Sequence, residues 1–124
     1  MRDVVVYRVV DYGDIGMYRS REPLPFRYDI WRHPQPDLDD DLVVELSEKQ
    51  LPDLDSGKLH YGFRSIKQLK VWINRKLDRR IMGQSGFVVK KFMVPSNMVA
   101  RGETQVVFHM ESATMIDTIN IAEI

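Results

Sequence analysis

The residues with the greatest capacity for chemistry are Arg8, the cluster Tyr18-Arg19-Ser20, Phe63 and the run Glu103-Thr104-Gln105. Arg8 interrupts the β-branched run Val4 to Val10, and an unpaired cation there would be very costly. It must reach a carboxylate, a ligand or solvent. An arginine on a first strand, a hydroxyl on the next segment and a carboxylate or amide on a late strand could clasp a nucleotide. Arg8 would hold a phosphate by charge-assisted hydrogen bonds, Ser20 a ribose, and Glu103 or Gln105 a ribose hydroxyl. Tyr18, Arg19 and Phe63 join Arg8, Ser20 and Gln105 as expected ligand-binding residues. The structural alternative pairs Arg8 with an internal acid and leaves Gln105 on a solvated strand face.

Other chemistries find less footing. With no cysteine there is no disulfide, thiolate zinc site or thiol nucleophile, which fits a reducing compartment. His33, His60 and His109 form no pair at ligand spacing. Asp37, Asp39, Asp41 and Glu48 match positions 1, 3, 5 and 12 of a calcium loop, but Leu42 occupies the position that requires glycine. No metal site is expected. Gly83-Gln84-Ser85-Gly86 reads as a turn between elements rather than a phosphate loop, and no serine lies in a nucleophile-elbow motif.

Charge is segregated under a formal net of zero. Residues 29–57 carry a net −7 and residues 58–102 a net +10, flanked by +1 and −4 at the ends. The acidic Asp39, Asp40 and Asp41 and the basic Arg75 and Arg79 are therefore expected at a partner-binding surface, unless the two segments neutralise each other within the fold. Nucleic acid is a less favoured partner. On a helical wheel Lys67, Lys70, Arg75, Lys76 and Arg79 wrap the whole circumference instead of forming one basic face.

The elements that must position these residues follow from periodicity. Residues 4–10 read as a buried central strand. Residues 11–57 read as a long ordered loop, rich in proline and aromatics at its start, with 42–46 as a short strand or helical turn. Ser65 is a good N-cap for one main helix over 65–82, with Ile66, Leu69, Ile73 and Leu77 on its apolar stripe and Trp72 widening it. Strands are expected at 87–94 and 104–110, with a connection too long for a tight hairpin between them. Ser112 is expected to cap a short C-terminal helix with Ala113, Ile116 and Ile119 inward. The expected fold is a small α+β single domain over 1–124, with a mixed or antiparallel sheet. No apolar run spans a membrane and no signal peptide is visible.

Across nearly the whole chain, Val6-Tyr7-Arg8-Val9, Gly16-Met17-Tyr18, His33-Pro34-Gln35-Pro36-Asp37, Tyr61-Gly62-Phe63-Arg64-Ser65, Trp72, Gly86-Phe87 and Gln105-Val106-Val107-Phe108 occur in order. The series resembles a set of small bacteriophage proteins with a YRV … GPY … HPxPxxD … FGFxSxxxLxxW … GFxV … QVVF pattern. Met17 replaces the proline and Tyr61 the first phenylalanine. The resemblance implies a phage accessory protein in the bacterial cytoplasm and no established chemistry. Together with the small size and the missing catalytic signatures, it leads to the expectation of a protein that binds a host protein or nucleotide-like ligand, as an inhibitor of a host or defence factor. More distantly, the Arg, Ser and Glu/Gln order resembles the ADP-ribosyltransferase fold, which would imply NAD as cofactor and Glu103 and Gln105 as catalytic positions. Glutamine at 105 lacks the carboxylate that would steady an oxocarbenium ion, so binding without catalysis, and without a cofactor, is the leading expectation.

Overall fold

The computed structural model describes residues 2–11, 13, 16, 39–49, 51 and 59–124. Its elements are β1 (Asp3–Val10), α1 (Asp40–Lys49), β2 (Leu59–Gly62), α2 (Ile66–Trp72), α3 (Lys76–Gln84), β3 (Val88–Pro95), β4 (Val99–Arg101), β5 (Val106–His109) and β6 (Thr114–Asn120). The expected α+β class stands, and both sheets are antiparallel: one ordered β1-β3-β6, the other β2-β5-β4.

The β-branched run of β1 forms a strand, but β3 rather than β1 is central in its sheet. The far side of β1 joins the second sheet through a bridge in which Tyr7 and Phe63 exchange N–H···O bonds, both 2.7 Å. Glycine at 62 permits this junction, because a Cβ there would lie 2.7 Å from the Tyr7 carbonyl oxygen.

The main helix of the sequence reading is two helices. Leu69 and Ile73 are fully buried with Met82 and Phe87, but the helix stops at Trp72 and restarts at Lys76. Asn74, a weak helix former, lies in the break. Arg79 holds it: its Nη1 donates to the Ile73 carbonyl at 2.8 Å, an oxygen that a continuous helix would have bonded internally. Leu77 is thereby rotated out of the stripe and is 62% exposed.

The expected C-terminal helix is the edge strand β6, framed by single 3-10 turns at Met110–Ser112 and Ile121–Glu123. Ser112 does not cap a helix; its hydroxyl meets His109 Nδ1 at 2.8 Å. Ala113 packs toward Phe92 and Phe108 while Ile119 packs toward Val89, and Ile116 lies in a bulge between the pairs Lys91–Asp117 and Phe92–Met115.

Residues 42–46 fall within the ten-residue helix α1, which packs on β4 through Leu42, Ala100 and Val107. The connection expected to be too long for a tight hairpin contains β4, which itself makes a tight hairpin with β5 closed by the Gly102 N–H to Gln105 carbonyl bond at 2.8 Å. The outer edge of β4 is sealed by side chains of α1. Glu45 accepts from the Arg101 N–H, and Lys49 Nζ donates to the carbonyls of Ser96 and Val99, both at 2.9 Å. The two form an i,i+4 ion pair at 3.2 Å. Together they satisfy the backbone groups that a neighbouring strand would otherwise take.

Candidate functional site

The β4–β5 turn, residues 102–105, is held from two sides. Asp39 is the N-cap of α1, with Oδ1 accepting from the Leu42 N–H at 3.2 Å. The same carboxylate accepts from the N–H groups of Glu103 (3.0 Å) and Thr104 (2.9 Å) and from the Thr104 hydroxyl (2.8 Å). Glycine at 102 makes room, since a Cβ there would run into the Asp39 carboxylate and the Leu42 Cβ. Burial by itself pushes the Asp39 carboxyl up. The Thr104 and Glu103 N–H groups, the Thr104 hydroxyl and the Leu42 N–H outweigh it and hold the pKa below the ordinary 3.8.

From the other side, Gln68 reaches the turn out of α2. Its Nε2 donates to the carbonyls of Gly102 (3.2 Å) and Glu103 (2.7 Å), while its Oε1 accepts from the Arg64 N–H at 2.8 Å. Ser65 caps the helix as expected, accepting from the Gln68 N–H at 3.0 Å. The segment Ser65-Ile66-Lys67-Gln68 is thus a variant capping box that also grips a distant turn.

Between α2 and this fixed turn lies a cleft of about 360 Å³. Arg64, Lys67, Val71 and Trp72 form one wall, and Glu103 and Thr104 the other. Val71 is 74% exposed. Among the described residues, neither Arg64 nor Lys67 makes an ion pair, and Arg64 Nη1 has only a long 3.4 Å contact to the Gly102 carbonyl. Arg64 also borders a second, open groove against Asp41, Val44, Glu45 and Arg101.

The residues singled out in the sequence fall in several places. Arg8 Nη1 donates to the Tyr61 carbonyl at 2.7 Å, and its guanidinium lies where a side chain on Gly16 would stand. Phe63 is buried at the junction of the sheets. Gln105 is 1% exposed, so it is on neither a solvated face nor an accessible wall. Among the described members of the expected nucleotide clasp, Glu103 alone lines the cleft. Tyr18, Arg19 and Ser20 lie outside the described residues. Of the expected partner-binding residues, Asp40, Asp41 and Arg75 are exposed. Asp39 and Arg79 are buried, because one caps a helix and grips a turn and the other closes a helix break. Arg64 and Gln68 escaped the sequence reading. The signal for Gln68 was the S-x-x-Q spacing after a good N-cap, whereas nothing marked Arg64 beyond its place before that cap.

Among the described residues no group of His, Cys, Asp or Glu could hold a metal ion, and no helix is long and apolar enough to cross a membrane. A small α+β protein with a cleft between a helix and a fixed hairpin turn is the class this arrangement defines. The family described as bacteriophage T4 Y00F protein matches residues 1–122, and the chain belongs to that phage protein family. No curated protein and no solved structure matches it. The expected likeness to the ADP-ribosyltransferase fold therefore has no support, and the burial of Gln105 speaks against the site drawn from it.

Proposed function

We propose that this phage protein acts as an accessory factor that binds a host protein through the cleft between α2 and the β4–β5 turn. The observation that carries this reading is Arg64, an exposed cation without a carboxylate partner among the described residues, standing over a turn fixed by Asp39 and Gln68. A turn fixed from two sides, beside an exposed guanidinium and an exposed valine, offers one charged and one apolar contact in a preset geometry, which lowers the ordering cost of binding. Arg64 and Lys67 would take an acidic side chain of the host segment, Val71 and Trp72 its apolar neighbour, and Glu103 would orient it from the facing wall. Binding of this kind fits an inhibitor of a host or defence factor.

Site-specific photo-crosslinking in bacterial cells tests it. A crosslinker at Val71 should yield a discrete adduct that Arg64→Glu abolishes, while the same group at Met115 on β6 should not. Equal labelling from both positions, or an adduct indifferent to Arg64→Glu, would remove the reading.

A further inference from the structure

The outward faces of α1 and α3 are complementary in kind. At about 100° per residue, Lys76, Leu77, Arg80, Ile81 and Gln84 of α3 occupy one arc of roughly 140°, and all five are exposed. Asp78, Arg79 and Met82 occupy the opposite, buried side. Helix α3 thus turns charge inward and places Leu77 and Ile81 in solvent, beside two cations that make no ion pair among the described residues.

Helix α1 shows the matching arrangement with opposite sign. Asp40, Asp41, Val43, Val44, Ser47 and Glu48 share one arc of roughly 160°, and all are exposed. Val43 is 45% and Val44 53% exposed. The inward side is occupied by Leu42, Glu45, Leu46 and Lys49, which serve β4 and the packing beneath it. The two outward faces belong to helices packed on different parts of the fold, α1 on β4 and α3 on the turn at Ile121–Glu123. Among the described residues, nothing covers either face.

We propose that the partner of each is a second copy of this chain, with the acidic, valine-bearing face of α1 on one copy seating against the basic, leucine- and isoleucine-bearing face of α3 on the next. Because the two faces differ, the contact is heterologous. It propagates head to tail and closes into a ring or runs on as a filament. Two short helices make a small interface, so assembly is weak, concentration-dependent and sensitive to salt. This self-association goes beyond the host-binding reading and is measured without any host component.

The test is sedimentation of the purified full chain from micromolar to near-millimolar concentration, at about 50 mM and about 500 mM salt. The average mass should climb above the 14.6 kDa monomer at low salt and fall back at high salt. The variants K76E/R80E and D40K/D41K should each remain monomeric. Mixed together they should assemble again in alternating order, because the two native faces still match and the two reversed faces carry opposite charges. Should either double variant fail to fold by circular dichroism, Leu77→Ser and Val44→Ser replace them, each expected to shift assembly to at least tenfold higher concentration. A wild-type chain that stays monomeric throughout overturns the proposal, as does assembly that survives the charge reversal in either variant alone. Loss of a host complex on α3 reversal, with a monomeric wild type, would assign the face to an acidic host segment instead.

Discussion

Asp39 accepts both the backbone N–H and the hydroxyl of Thr104, at 2.9 and 2.8 Å, across 65 positions of sequence. One carboxylate therefore starts a helix and fixes a hairpin turn on another part of the chain. A buried acceptor engaged by four donors is stabilising only while it is ionised.

The acid sensitivity of the fold should follow from this. The pKa of Asp39 is lowered on folding, so its contribution is complete above about pH 5 and is lost as pH falls through the unfolded value toward the folded one. Asp39→Asn keeps the size but replaces an acceptor oxygen by a donor facing other donors. It should cost about 1–3 kcal/mol at pH 7 in urea denaturation. The gap from wild type should close as the pH is brought below 3.8. A gap that persists unchanged at low pH would show that the charge is not what matters.

Gln68 should prove as important to the cleft as any charged residue. Gln68→Met preserves length and apolar packing but leaves the Arg64 N–H and two turn carbonyls without their partner. The expected loss is about 1–3 kcal/mol, accompanied by faster hydrogen exchange at the Arg64 amide. Unaltered exchange there would separate the turn from α2.

Two leucines on one apparent stripe should behave differently. Leu69 is fully buried and Leu77 largely exposed. Leu69→Ala should cost about 2–5 kcal/mol, whereas Leu77→Ala should stay within about 0.5 kcal/mol. Comparable losses at both positions in thermal or chemical melts would favour an unbroken helix.

Arg79 and Arg75 offer the matching contrast among cations. Arg79→Met removes the donor to the Ile73 carbonyl and should destabilise by about 1–3 kcal/mol. Arg75→Met, on the exposed N-cap of α3, should fall within about 0.5 kcal/mol. Equal effects would count against Arg79 as the residue that holds the helix break.

The strands with dense β-branched runs were legible in the sequence, as β1, β3 and β5 show, and so was Ser65 as a cap. The helix break was not, because Leu77 continues the Ile66–Leu69–Ile73 spacing and only the distant fit of Arg79 decides against it. Strand β6 was misread because Ile116 and Ile119 stand three apart after a serine, a pattern a helix would also show; pairing with β3 overrides it. The β4–β5 hairpin carries Gly102-Glu103-Thr104-Gln105 rather than the Asn-Gly signature of two-residue turns. In the candidate site, Glu103 was anticipated, but for a clasp with Arg8. The contacts of Asp39 and Gln68 are set by residues 34 to 65 positions away, which no local pattern reports.

The pairing of β1 with β3 has a consequence for synthesis. Asp3 meets Pro95, about 90 residues later, and Ile121 completes the same core. At roughly 5–20 residues per second the first strand waits on the order of 5–20 s for its partner. During that interval Val4-Val5-Val6-Tyr7 is an unpaired, β-prone segment, and Arg8 stands at its end where a gatekeeping charge discourages aggregation. The cation that first suggested a phosphate ligand, and that bonds the Tyr61 carbonyl in the folded protein, would thus be useful before folding as well, until the last third of the protein arrives.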